Sequence, residues 1–349
     1  MEDTRKLRVG ISIGDINGIG SEIVLKTFKD NRMLDFCTPV IFSSRRYITK
    51  AIKHFKLDMQ FNGVRELDQI VPGRINVVSV WQDDVDLDWG NATREAGAYG
   101  IESLVAAVTA LKKDEIDVLV TAPINKATAY SDDFKFPGHT DYLAQELEGD
   151  ALMFMVSDSL RVGLLTDHIS LSQVADAVTS HVVKVKAGII KESLIKDFNI
   201  RKPRVAILGI DPHTGDGGVI GTADQTVLAP TIEEMKKKGQ LVFGPYAADG
   251  FFGSNAQDQF DAVIATYHDQ GLIPFKTLTF GTGVNYTAGL SHVRTSPDHG
   301  TGFDIAGQGV ANPQSFSNAV HTAISIYRNR QEYAALTENV LQRQRRNER

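Results

Sequence analysis

The segment that decides the fold runs from Asp261 to Gly309, DAVIATYHDQGLIPFKTLTFGTGVNYTAGLSHVRTSPDHGTGFDIAGQG. It opens with Ala262 to Thr266, an apolar run with the length and composition of a buried strand, which stops on Tyr267-His268-Asp269. A titratable cluster thus stands at a strand's carboxyl end, where open parallel sheets bind ligands. Lys276, Asn285 and Arg294 follow among glycines and short strands, and then the turn Asp298-His299-Gly300-Thr301-Gly302.

Working outward, the same arrangement occurs twice more. Val162 to Thr166 leads into Asp167-His168, and Val205 to Ile210 leads into Asp211-Pro212-His213. For one such histidine an ordinary loop role suffices. Three histidines, each just past a strand's last buried residue, point to a shared divalent cation, because neutral imidazole is its commonest protein ligand. Three protein ligands leave positions open, as catalysis needs, and the long gaps between His168, His213 and His268 exclude a zinc finger. Imidazole donors lean towards zinc or cobalt, with magnesium and manganese also open.

The 349 residues can bury a full core, and the net charge of −6 gives no reason to expect nucleic acid or an anionic membrane as partner. Cys37 is the single cysteine, so no intrachain disulfide forms, which suits a reducing cytoplasm. No apolar stretch approaches the roughly 20 residues of a spanning helix. The expectation is a cytoplasmic protein.

Leu7 to Ile13, the glycine turn Gly14 to Gly20 and a following helix read as a βα unit. The turn lacks the dinucleotide glycine spacing, and its amides suit either an anion or a plain tight turn. Pro39–Phe42, Ile75–Val80 and Ile116–Val120 read as strands, the last running into Pro123-Ile124-Asn125-Lys126. Asp83 to Thr93 reads as a solvated loop. From Arg94 to Lys113 a helix presents Ile101, Leu104, Val105, Val108 and Leu111 on one face. Phe136-Pro137-Gly138-His139-Thr140-Asp141 precedes an amphipathic segment, and an oxyanion on that helix end would explain both His139 and Thr140. Ala151–Val156 and Arg161–Leu165 read as neighbouring strands, Thr179–Ile195 and Thr222–Lys238 as helices. Pro245 to Phe252 reads as an aromatic loop, Ala311–Arg328 as a late helix, and QRQRRNER at 342–349 as a solvated end. Strands alternating with helices predict an α/β fold with a largely parallel sheet.

These motifs resemble the 4-hydroxythreonine-4-phosphate dehydrogenase family of pyridoxal phosphate biosynthesis along essentially the whole chain. The matches are Gly14-Asp15 to Gly20, Pro123 to Lys126, Gly138-His139-Thr140, Thr166-Asp167-His168, Asp211-Pro212-His213, Tyr267 to Gly271, Arg294-Thr295-Ser296 and Asp298 to Thr301. Ile16 and Ser21 stand where the family commonly has proline, and Asp211 to Asp216 departs from its usual Asn-Pro-His-Ala-Gly-Glu.

The resemblance implies a fold like that of isocitrate and isopropylmalate dehydrogenases, with two α/β/α lobes around a cleft. Residues 1–120 plus 270–349 would form the nucleotide lobe and 121–269 the metal and dimer lobe. It implies a homodimer in which His168, His213 and His268 bind the metal, with substrate contacts from His139, Thr140, Lys276, Asn285 and Arg294. His299, Gly300, Asp304, Ile305 and Asn312 would hold NAD, with Asp304 on the ribose hydroxyls and against a 2′-phosphate. The implied reaction is NAD-dependent oxidation of 4-phosphooxy-L-threonine to a 3-keto acid that decarboxylates to 3-amino-2-oxopropyl phosphate. Lys126 and Asp269 are both candidates to take the hydroxyl proton. Two other readings are a D-erythronate or D-threonate 4-phosphate dehydrogenase and, in a different class, a phosphate acyltransferase.

Overall fold

The computed structural model describes residues 5–132, 134–136 and 138–338. Pro137 of the His139 motif and the 342–349 segment therefore lie outside the described residues. In chain order the strands are β1 (Leu7–Ser12), β2 (Cys37–Ser43), β3 (Asn62–Val64), β4 (Asn76–Ser79), β5 (Val118–Thr121) and β6 (Gly149–Val156). Then come β7 (Arg161–Leu164), β8 (Val205–Leu208), β9 (Val242–Tyr246), β10 (Ala262–Ala265), β11 (Val284–Leu290) and β12 (Arg294–Pro297).

Among the described residues these form one continuous sheet in the order β3-β4-β2-β1-β5-β12-β11-β6-β7-β10-β8-β9. Every ladder is parallel except β11 with β12, β11 with β6, and β6 with β7. The sheet is therefore mixed, and the reversal falls at its centre. Strands such as VLVT in β5 and AVIA in β10 are buried throughout, because helices cover both faces.

Register fixes what faces what across the central strands. Asn285 stands opposite Ser296 on one side and Met155 on the other, and Thr287 stands opposite Met153. With a side-chain period of two, Met153, Met155, Asn285, Thr287, Arg294 and Ser296 all project from the same face.

Several expectations need correction. In helix Arg94–Lys112, capped by the Thr93 hydroxyl on Ala96 N–H, Val105 is 39% exposed. The buried side instead includes Gly97 and Gly100, where a Cβ would stand 2.4 Å from Thr128 O and 2.9 Å from Gly14 O. Close backbone approach, not bulk, seats this helix.

Pro245 to Phe252 is no loop: β9 takes in Tyr246, and helix Ala248–Gly253 buries Phe251 against the rings of Tyr246 and Phe260. Nor is the segment after Asp83 simply solvated, since Val85 is buried and Trp89 stacks on His54. The edge strand β3 is not apparent in the sequence, its NGV being too short and weak in pattern. The late helix runs further than expected, Gln314–Thr337. No helix among the described residues is long and apolar enough to cross a membrane.

Candidate active site

Above the central face lies a cavity of about 260 Å³. Met153 and Met155 of β6 and Asn285 of β11 form its floor, and the ends of β5 and β12 one wall, with Thr121 and Ser296 to Gly300. Lys126, His139, Thr140, His168 and Lys276 complete the rim. A larger groove of about 730 Å³ borders Asp197 and Arg330. There Asp197 already takes bonds from Arg330 Nε at 2.7 Å and from Ser193 and Tyr286 at 2.6 Å, so nothing in that network awaits a ligand.

Each rim residue is placed by local chemistry. Asn125 caps helix Lys126–Ala129, its Oδ1 taking Ala127 N–H at 2.9 Å and Thr128 N–H at 3.1 Å, and so sets Lys126 just beyond β5. Gly138 precedes helix His139–Glu146 in extended conformation, so His139 and Thr140 begin its first turn at the cavity. Lys276 reaches in from the last turn of helix His268–Leu278.

Three polar atoms lining this cavity are buried with no hydrogen-bond partner among the described residues: His139 Nε2, Asn285 Oδ1 and His299 Nε2. Native proteins leave few such groups unpaired, because each costs about 1–3 kcal/mol. Their convergence marks a polar ligand's place. His299 Nδ1–H donates to Gly300 O at 3.0 Å, which leaves Nε2 as a bare acceptor. Burial first, then the charges of Arg294 and Lys126, hold the His139 imidazole well below its usual range, so it is neutral at physiological pH.

Arg294, 2% exposed, projects from the same face. Its guanidinium donates to Thr121 Oγ1 from Nε at 3.2 Å and from Nη2 at 2.6 Å, and to Thr287 Oγ1 from Nη1 at 3.0 Å. Among the described residues no carboxylate lies in salt-bridge range. Burial pushes its pKa down to about 9, still high enough to keep the charge at neutral pH. A buried cation met only by hydroxyl dipoles is poised for an anion.

The proposed metal ligands are brought together in part. The rings of His168 and His268 approach to 5.8 Å between centroids. His268 Nδ1–H donates to Asp269 Oδ1 at 2.7 Å, fixing the tautomer that leaves Nε2 free to ligate. Within one chain no trio of His, Cys, Asp or Glu among the described residues closes around a cation, so His213 does not join the pair. It stands past β8, the neighbour of β10, in a run of left-handed residues with φ of 53° at His213, 55° at Thr214 and 43° at Asp216. Such conformations cost about 1–3 kcal/mol each and gather at functional sites. A donor set of two imidazoles, with a third histidine on the adjacent strand end, fits a divalent cation.

Asp269 is not among the cavity residues; it serves His268. Of the nucleotide residues, His299 and Gly300 line the cavity, whereas Asp304, Ile305 and Asn312 lie beyond it on the following loop. That loop is clamped: Lys26 Nζ donates at 2.8 Å to both Gly309 O and Ala311 O, Glu22 Oε1 accepts from Ala311 N–H at 2.8 Å, and His54 Nε2–H donates to Gly307 O at 2.7 Å. The early glycine turn joins this clamp. Its Asp15, Gly18 and Ile19 amides donate to Pro123, Asp15 and Thr301 carbonyls and Asn17 N–H to Asp15 Oδ1, which leaves them no anion to bind. Thr121 and Thr287, which carry Arg294, and the methionine floor have no signature in the sequence. Only strand register exposes them.

Comparison with known proteins decides the family. The family described as pyridoxal phosphate biosynthetic protein PdxA matches residues 35–323. The chain belongs to this family. PdxA relatives include a 4-hydroxythreonine-4-phosphate dehydrogenase of Bacteroides thetaiotaomicron, 43% identical over 344 residues, covering 98% of this chain and 94% of that one. Another, of Oceanobacillus iheyensis, provisionally named a D-threonate 4-phosphate dehydrogenase, is 31% identical over 93% of this chain and 98% of that one. A crystal structure of a 4-hydroxythreonine-4-phosphate dehydrogenase from Klebsiella pneumoniae superposes with a TM-score of 0.79 at 28% identity, covering 94% of this chain and 99% of that one. This PdxA chain thus has the α/β fold of those dehydrogenases, and it is an enzyme.

Proposed function

We propose that the chain catalyses NAD-dependent, metal-assisted oxidation of 4-phosphooxy-L-threonine to a 3-keto acid that loses carbon dioxide to give 3-amino-2-oxopropyl phosphate. The observation that carries this reading is the cavity lined by the unpartnered His139 Nε2 and Asn285 Oδ1, with the uncompensated charge of Arg294 buried on the same sheet face and near enough to act on His139. A substrate with anionic ends and hydrogen-bonding groups between them supplies what those atoms lack.

In this reading Arg294 and Lys276 take the anionic ends, the guanidinium fork suiting a phosphate or carboxylate. Neutral His139 and Thr140 hold the polar middle of the substrate, while Met153 and Met155 keep water from the reacting carbon. Lys126, on the cavity wall, is the group placed to exchange a proton with the substrate oxygen; Asp269 is turned away to His268. When bound by His168, His268 and His213, a divalent cation supplies Lewis acidity for the substrate hydroxyl, and nicotinamide is the hydride acceptor. His299, Gly300, Asp304, Ile305 and Asn312 are the proposed nucleotide contacts, on a loop whose clamps hold it ready. The proposed lobes, 1–120 plus 270–349 and 121–269, share this cavity through the central strands.

The pair of histidines short of a third supports a homodimer that completes the site. So does the apolar fringe around the histidine-bearing ends, where Val219 is 84% exposed, Leu171 71% and Ile273 64%. The Oceanobacillus relative makes D-threonate 4-phosphate the second substrate to try. Reduced-nicotinamide absorbance with each of the three phosphates, with and without chelator, tests the proposal: no turnover of the threonine phosphate in the metal-loaded enzyme sinks it.

A further inference from the structure

The histidine-bearing strand ends are not tied by backbone ladders alone. β10 pairs β8 only from Ala262 to Ile264, opposite Val205 to Ile207. Past that point the two chains part, one turning into a helix at His268 and the other into the left-handed run at His213. Parting strands expose amides and carbonyls that must find partners elsewhere.

Side chains supply them. Gln270, in the first turn of helix His268–Leu278, accepts Thr266 N–H on Oε1 at 2.7 Å and donates from Nε2 to Gly209 O at 2.6 Å. It stands where a further rung between β10 and β8 would have been. On the far side of β8 the Asp224 carboxylate takes Ile210 N–H on Oδ1 and Asp211 N–H on Oδ2, both at 2.9 Å. Asp224 is fully buried, forms no salt bridge among the described residues, and opens a π-helical turn, Asp224–Leu228. Such turns are rare and gather at functional sites. The fit is close: a Cβ on Gly209 would stand 2.9 Å from Thr214 Cγ2 and 3.0 Å from Asp224 Oδ1. On the other flank Thr166 Oγ1 donates to Thr266 O at 2.7 Å, tying β7 and so His168 to β10.

We infer that Gln270 and Asp224 are positioning residues that hold the strand ends carrying His268 and His213 in place for divalent-cation binding. Gln270 bridges the start of the His268 helix to the end of the His213 strand. Asp224 braces that strand end from behind, so that the chain enters its strained left-handed run from one direction only. Neither side chain touches the cation; both act through the backbone that carries its ligands. The inference rests on the reading of the three histidines as metal ligands.

The test uses the full-length protein stripped of metal and titrated with cobalt(II), followed by its visible absorption. Gln270→Met keeps the side chain's length and removes all three of its bonds, the third being from Thr266 Oγ1–H to Gln270 Oε1 at 2.9 Å; Asp224→Asn leaves one amide facing an N–H₂ group. Both are expected to weaken cobalt binding about tenfold or more, as loss of groups that orient metal ligands does, and to alter the band of the cobalt-loaded protein. Phe28→Leu, a core change far from the site, is expected to lower the unfolding midpoint while binding cobalt as the unaltered protein does. If Asp224→Asn fails to fold, Gln270→Met decides alone. Folded variants with unaltered cobalt affinity and band overturn the positioning role while leaving the metal reading intact. Unaltered protein that takes up no cobalt overturns the metal reading, and this inference with it.

Discussion

Arg294 Nη2 donates to Thr121 Oγ1 at 2.6 Å, and that hydroxyl is the shortest contact its guanidinium makes among the described residues. A hydroxyl dipole orients a cation without neutralising it. Arg294→Met should therefore raise KM for the phosphorylated substrate at least a hundredfold while leaving stability unchanged or higher by about 1–4 kcal/mol, as when a buried charge gives way to an apolar chain. Steady-state kinetics beside chemical unfolding check both signs. A variant that binds poorly and is also strongly destabilised would make Arg294 a structural residue.

The pH response of His139 follows from its lowered pKa. The unfolded chain takes up a proton below about 6.5, whereas the folded one resists it until much lower pH. Stability credited to neutral His139 is thus full above that value and declines on acidification towards the folded pKa. Denaturation at pH 7 and pH 5 should show this loss, and His139→Gln should lessen it. Between pH 6 and 8 substrate affinity should carry no inflection from this residue.

Asp269 and Lys126 part company in a direct comparison. Asp269→Asn should weaken metal binding about 10- to 100-fold, since the acceptor that fixes the His268 tautomer loses its charge and the amide can turn its N–H₂ to the ring, with kcat largely regained at saturating metal. Lys126→Met should lower kcat about 10²- to 10⁴-fold with metal affinity unaltered. Metal titrations and kcat on both variants read the difference; exchanged phenotypes would return Asp269 to the role of base.

Asp304 is exposed on a loop held by Lys26, Glu22 and His54. Asp304→Ser should reduce the preference for NAD over NADP about tenfold by removing a charge that repels the 2′-phosphate. Ratios of kcat/KM for the two cofactors measure it, and an unmoved ratio would shift the ribose elsewhere.

Much of this was legible before any coordinates. Strand ends carrying His168, His213 and His268 stand out because apolar runs are short and abrupt; the structure ends β7, β8 and β10 at Leu164, Leu208 and Ala265, one or two residues short of where those runs end. Helix Arg94–Lys112 was legible from its period, but not the seating of its glycines, which depends on Thr128 and Gly14 from other parts of the chain. The central reversal was legible only in part. The four-residue link between Val156 and Arg161 admits only an antiparallel pair, but nothing in the composition of β11 states its direction. Thr121 and Thr287 look like ordinary strand residues until register sets them beside Arg294.

The early glycine turn illustrates the opposite error. Glycines before a helix suggest a phosphate cradle, yet their amides bond to Pro123, Thr301 and the turn itself. Local sequence shows that the backbone is free to approach something; only the fold shows that the something is its own chain.

The cation beneath the cavity has a practical consequence at the bench. With Arg294 in its proposed role of taking a substrate's anionic end, small dianions from a buffer compete for the same place, so inorganic phosphate and sulfate should act as competitive inhibitors. Initial rates taken in phosphate at fixed ionic strength will understate the enzyme's affinity, and an amine buffer will restore it.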